Sequence, residues 1–139
     1  MSRVQLALNV SDLNQAIDFY SKLFSTSPAK VREGYANFAI AEPPLKLVLI
    51  ESKENGGTLN HLGVEVESTD QVTAAINRLQ NEGMATDIEE QTTCCYAVQD
   101  KVWVHGPDQE PWEVYTVLAD APVMKLIPVT GEAGNCCAS

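Results

Sequence analysis

At 139 residues, 45% hydrophobic and 20% charged, the chain fits one domain and can bury a core without disulfides. Its formal net charge of −10 repels phosphate backbones and anionic membranes, and no Lys/Arg cluster reverses this locally, so nucleic acid is excluded as a partner. The opening "MSRVQLALNVSDL" has no apolar signal core, and no apolar run approaches the ~20 residues that span a bilayer, so no membrane partner is expected and the expected compartment is the cytoplasm.

Residues 4–10, "VQLALNV", alternate and predict a strand. Asp12 can cap the helix that follows, in which Leu13, Ile17, Tyr20 and Phe24 recur at helical spacing. "YANFAIA" (35–41) and "LKLVLIE" (45–51) read as two strands, and "NGG" at 55–57 marks a linker. The pattern then restarts. "HLGVEVES" (61–68) predicts a strand, and "DQVTAAINRLQNEG" (70–83) a helix with a C-terminal glycine. "MATDIEE" predicts a short strand, and "KVWVHGPDQEPWEVYTV" (101–117) a hairpin over a Gly-Pro-Asp turn.

"QLALNV" lies over "HLGVEV", and "EPPLKLVLI" over "QEPWEVYTV". Each half therefore spells strand, helix, then two or three strands, with one module over about 3–51 and the other over about 60–118. The fold class expected is α+β, two tandem βαβββ modules packed as paired sheets. Residues 119–139 show no clear periodicity and are expected to form a flexible, cysteine-containing tail.

The repeat superposes Gln5 on His61 and places Glu113 in the final strand. An imidazole, a carboxylate and a neutral amide oxygen suit a first-row divalent metal. The position equivalent to Glu113 is Lys46, which cannot ligate while protonated, so three protein ligands would leave open positions, as in Fe(II) facial triads. Zinc, manganese, cobalt and nickel remain alternatives. Taken singly, His61 is an ordinary hydrogen-bonded strand residue, Glu113 an outward strand residue, and Gln5 carries no signal. Only their equivalent places in a repeat lift them above that reading.

The four cysteines form two adjacent pairs, Cys94-Cys95 and Cys136-Cys137. Neighbouring Cα atoms sit ~3.8 Å apart and a relaxed disulfide wants ~4.4–6.8 Å, so a bond within a pair would be strained. A bridge between the two pairs is possible, but a reducing compartment argues against it, and both pairs read as dithiols. Strand alternation would send the side chains of Cys94 and Cys95 to opposite faces, so a chelating pair requires irregular backbone there. The polar "EEQTT" before them predicts a mobile loop that closes on substrate. The plainer alternative is a pair of half-buried small hydrophobes.

The duplicated βαβββ pattern and "GPDQEPWEVY" resemble the vicinal oxygen chelate superfamily, which includes glyoxalase I, extradiol dioxygenases and fosfomycin-resistance proteins. The resemblance implies a glyoxalase-like half-open barrel in a single domain over residues 1–118. "MSRVQLALNV", "YANFAIAEPPLKLVLIE", "LNHLGVEVES", "TTCCYAVQDKVWVHGP" and "PWEVYTVLAD" together resemble the iron-dependent carbon–arsenic lyases, whose relatives include cadmium-induced proteins. That resemblance implies Fe(II) on Gln5, His61 and Glu113, O2 as co-substrate, and a trivalent methylarsenical held by Cys94 and Cys95, with arsenite released.

Trivalent arsenic is soft and prefers thiolates. Methylarsonous acid has two exchangeable oxygens, so two thiols fill them and leave the carbon–arsenic bond exposed. Lys101 is an auxiliary candidate that balances charge. Cys136 and Cys137 are auxiliary candidates for arsenic capture, or an incidental thiol pair. His105 reads as a solvent-facing hairpin residue. The competing functions are a non-catalytic Cd(II)/As(III)-binding detoxification protein and a glyoxalase-like isomerase or thiol transferase. Monomer and homodimer both remain open.

Overall fold

The computed structural model describes residues 2–122. These divide into two compact units, one over residues 3–62 and the other over 63–122 with Ser2, so the boundary falls inside a strand shared by both.

The first unit holds β1 (Arg3–Val10), α1 (Leu13–Phe24), β2 (Lys30–Arg32), β3 (Tyr35–Ile40), β4 (Leu45–Glu51) and the start of β5 (Leu59–Glu65). β1 runs parallel to β4, with Gln5 opposite Lys46, while β3 is antiparallel to β4 and β2 to β3. The parallel pair requires a crossover, and α1 supplies its helical part. Asp12 caps α1 by accepting from the Gln15 amide at 3.0 Å, and Glu51 accepts from the Leu13 amide at 2.9 Å. Two of the amide donors that a helix start leaves without intrahelical partners are thus satisfied. Leu13, Ala36, Phe38, Ile40, Leu47 and Leu49 form the core, with Leu6, Leu8 and Val10 packed against it. Alternation along β1 then turns Gln5, Ala7 and Asn9 to the face away from α1, and all three are buried there.

The second unit continues through α2 (Thr69–Asn81), β6 (Asp87–Cys94), β7 (Ala97–His105) and β8 (Pro111–Asp120). Ser68 caps α2, and its C-terminus closes as a Schellman turn: the Met84 amide donates to the Leu79 carbonyl at 3.1 Å, with Gly83 at φ 81°. The three strands form an antiparallel meander, and α2 packs on β7 and β8. Val114 lines a cavity together with Ala74, Ala75 and Arg78 of α2, so Glu113 and Tyr115 occupy the opposite face of β8.

Both modules thus carry the βαβββ order read from the repeat. Two details differ. β2 is too short to leave a periodic signal. Residues 89–93, expected as a mobile loop, belong to β6, which bulges between Glu89 and Thr92. The cause is Asp100: its Oδ1 accepts from the Gln91 amide at 2.8 Å and its Oδ2 from the Thr69 hydroxyl at 2.6 Å. That clamp holds Gln91 at φ 47°, and the exposed bulge is what makes the segment polar. β8 runs to Asp120, two residues into the segment assigned above to the tail. The rest of that tail, with Cys136 and Cys137, lies outside the described residues.

Phe38 is fully buried against α1. Phe38→Ala is expected to cost about 3–5 kcal/mol of stability, read as a lower urea midpoint with unchanged far-ultraviolet dichroism of the native baseline.

Candidate active site

Each unit carries one cluster of the expected site residues. In the first, Gln5 of β1 and His61 of β5 are buried, at 4% and 2% exposure, and their Nε2 atoms lie 3.2 Å apart. The other ring nitrogen of His61, Nδ1, is 2.7 Å from Asn60 Oδ1. Only one of two facing nitrogens can be the acceptor, and an amide nitrogen has no basic lone pair. Gln5 therefore donates and His61 Nε2 accepts. For Gln5 to serve as an oxygen ligand, its amide must turn over.

In the second unit, Lys101 Nζ lies 2.6 Å from Glu113 Oε1, with side-chain exposures of 0% and 3%. The register sets this pair. Lys101 is opposite Tyr115 and Trp103 opposite Glu113, so the four side chains share the face away from α2. The ammonium also lies 5.4 Å from the Trp103 ring centroid and 5.6 Å from that of Tyr115. Two aromatic faces and one carboxylate thus receive a cation that would otherwise be costly to bury. From sequence, Lys101 reads as a spare surface charge; its position on the inward phase of β7, in step with Trp103, is the signal that marks it as buried.

Cys94 ends β6 and Ala97, its register partner, begins β7. Cys95 and Tyr96 form the two-residue connection, at φ 53° and 63°. Positive φ at both central residues is the pattern of a type I′ hairpin turn. This is the irregular backbone that a cooperating cysteine pair requires, supplied by a tight turn rather than a loop. It brings the two Sγ atoms to 3.6 Å. Gln99, 4% exposed, donates from Nε2 to the Cys94 carbonyl at 2.9 Å and fixes the strand end.

The oxidation state corrects the dithiol expectation. Cys94 and Cys95 are disulfide-bonded, and no described cysteine is a free thiol. The expectation rested on the compartment alone. Among the described residues, no three His, Cys, Asp or Glu side chains are grouped to hold a metal. The expected ligand set contains only two of those residue types, the third being the amide of Gln5.

A duplicated βαβββ chain with buried polar residues on the face of each sheet away from its helix defines a class. Residues 3–114 match the Glyoxalase/Bleomycin resistance protein/Dioxygenase superfamily, and the chain belongs to it. It is 66% identical over 125 residues to the trivalent organoarsenical cleaving enzyme of Thermomonospora curvata, covering 89% of this chain and 83% of that one. It is also 61% identical over 142 residues to the cadmium-induced protein CadI of Mycobacterium tuberculosis, covering 99% and 93%. Among solved structures, the Mn(II)-bound glyoxalase from Novosphingobium aromaticivorans superposes with a TM-score of 0.62 at 19% identity, over 91% of this chain and 43% of that one. No helix among the described residues is long and apolar enough to cross a membrane.

Lys101→Met should destabilise the metal-free protein by about 3–5 kcal/mol, because it leaves the Glu113 carboxylate buried without its cation. Adding Glu113→Gln should recover most of that loss in the same denaturant titration. Equal losses in the single and double variants would show that the pair contributes no such coupling.

Proposed function

We propose that this protein cleaves the carbon–arsenic bond of trivalent organoarsenicals, with Fe(II) on Gln5, His61 and Glu113, O2 as co-substrate, and the arsenical held by Cys94 and Cys95. The observation that carries this reading is the vicinal cysteine turn, with its sulfurs 3.6 Å apart, in a chain 66% identical to a named organoarsenical cleaving enzyme. The donor set suits such a metal: a buried imidazole nitrogen, a buried carboxylate and a buried amide, with few protein ligands and hence open positions. Fe(II), when bound, supplies the electrons that make O2 reactive toward the arsenical.

The protein's own groups do the rest. Cys94 and Cys95 act as thiols, so their disulfides must first be reduced by an external dithiol, which is itself oxidised to a disulfide. Each thiol then displaces one hydroxyl of CH3As(OH)2, releasing two waters and leaving a dithioarsenite that keeps its methyl group. The type I′ turn fixes both sulfurs on one side, so the arsenical is presented in one orientation and an encounter becomes an intramolecular step. Lys101 donates to Glu113 Oε1 at 2.6 Å and orients its carboxylate from one side. The overall conversion balances without another reductant: CH3As(OH)2 + O2 gives As(OH)3 and formaldehyde. A thiol transferase would instead need a thiol co-substrate and no O2.

Reduced protein loaded anaerobically with Fe(II), then given methylarsonous acid and air, is expected to release arsenite over many turnovers. His61→Ala and Glu113→Ala should lose turnover while still binding arsenical, and Cys94→Ser with Cys95→Ser should lose both. Separation of arsenic species reads the first property and calorimetry the second. Stoichiometric arsenical binding that depends on the cysteines alone, with no arsenite under any metal, would identify a sequestering protein instead.

A further inference from the structure

We infer that Asn60, oriented by Asn9 and Thr58, is a positioning residue that holds His61 with its proton on Nδ1 and so keeps Nε2 as a metal donor. The metal role rests on the functional reading above; the tautomer does not.

The direction of the hydrogen bonds follows from one backbone carbonyl. The Thr58 hydroxyl has a single proton, and it lies 2.6 Å from the Asn55 carbonyl, which can only accept. Thr58 Oγ1 must then accept the bond from Asn9 Nδ2 at 2.9 Å. With its NH2 committed there, Asn9 turns its Oδ1 toward Asn60, which donates from Nδ2 at 3.0 Å. Asn60 therefore presents Oδ1 to His61 Nδ1 at 2.7 Å, and an amide oxygen can only accept. The ring proton sits on Nδ1. Turning over any one amide would set two donors or two acceptors face to face.

The contact at the other ring nitrogen is compatible with this assignment. Gln5 Nε2 lies 3.2 Å from His61 Nε2, a contact that is favourable only if that ring nitrogen carries a lone pair. The backbone holds the anchor in place, since the Asn9 amide donates to the Thr58 carbonyl and the Gly57 amide to the Asn9 carbonyl, each at 2.8 Å. Asn9 is 4% exposed, so its amide has little water to turn toward. A ligating histidine is commonly oriented by an acceptor on its other nitrogen, and loss of that acceptor typically weakens metal binding by about 10–100-fold.

The test uses the whole reduced chain. In metal-free, 15N-labelled protein with the ring neutral, NMR correlation of the His61 ring nitrogens and carbon-bound protons should show the Nδ1–H tautomer. Asn60→Ala should populate the Nε2–H tautomer and weaken Co(II) binding, read by calorimetry, by about 10–100-fold. Asn60→Asp still offers an acceptor to Nδ1–H but loses the bond to Asn9 Oδ1, so it should keep the tautomer with an affinity between those of Asn60→Ala and the unaltered chain. An Nε2–H tautomer in the unaltered protein, or an Asn60→Ala variant unchanged in tautomer and affinity, would overturn the inference. Absence of Co(II) binding by the unaltered chain, with Nδ1–H present, would overturn the metal role while upholding the tautomer.

Discussion

The period of two along a β-strand is the constraint from which the rest of this structure follows. In each module a helix covers one face of the strands, and apolar residues on alternate positions meet it. The intervening positions must then face the other way. In the first module those positions include Gln5 and Asn9, and in the second Lys101, Trp103, Glu113 and Tyr115. Ordinary alternation would put solvent there. Here these residues are buried, so amide, carboxylate and ammonium groups have been withdrawn from water.

Such groups persist in a fold only when their hydrogen-bonding capacity is met. The Lys101–Glu113 pair meets it with a 2.6 Å contact and two aromatic faces. The Gln5–His61 contact meets it through a chain of amides ending on a backbone carbonyl. Replacing both members of the Lys101–Glu113 pair with well-packed apolar residues is expected to be neutral or stabilising, since buried ion pairs are often no better than such packing. Polar groups held at such expense are more readily understood as instruments of chemistry than of stability.

The βαβββ repeat was legible in the sequence except for the short β2, because strong alternation and helix-cap signals survive in any single chain. Gln5, His61 and Glu113 were singled out in the sequence only through their places in that repeat, and all three are buried. What the sequence concealed arises from longer-range causes. The polar 89–93 segment reads as loop, yet Asp100 pins it into β6 as a bulge, and Asp100 lies nine residues away from the amide it binds. The Cys95-Tyr96 turn lacks the Asn-Gly or Gly residues that normally announce positive φ, so nothing in composition reveals it. The orienting chain from Thr58 through Asn9 to Asn60 joins residues about fifty positions apart, and the disulfide state of Cys94 and Cys95 depends on which sulfurs meet in space.

The most direct test of the central claim compares oxygen consumed with arsenite formed. In reduced, Fe(II)-loaded protein supplied with methylarsonous acid, an oxygen electrode and arsenic speciation should report one O2 consumed for each arsenite released, with neither change under argon. Arsenite released without oxygen uptake would contradict the account. So would oxygen uptake that leaves the methylarsenical intact.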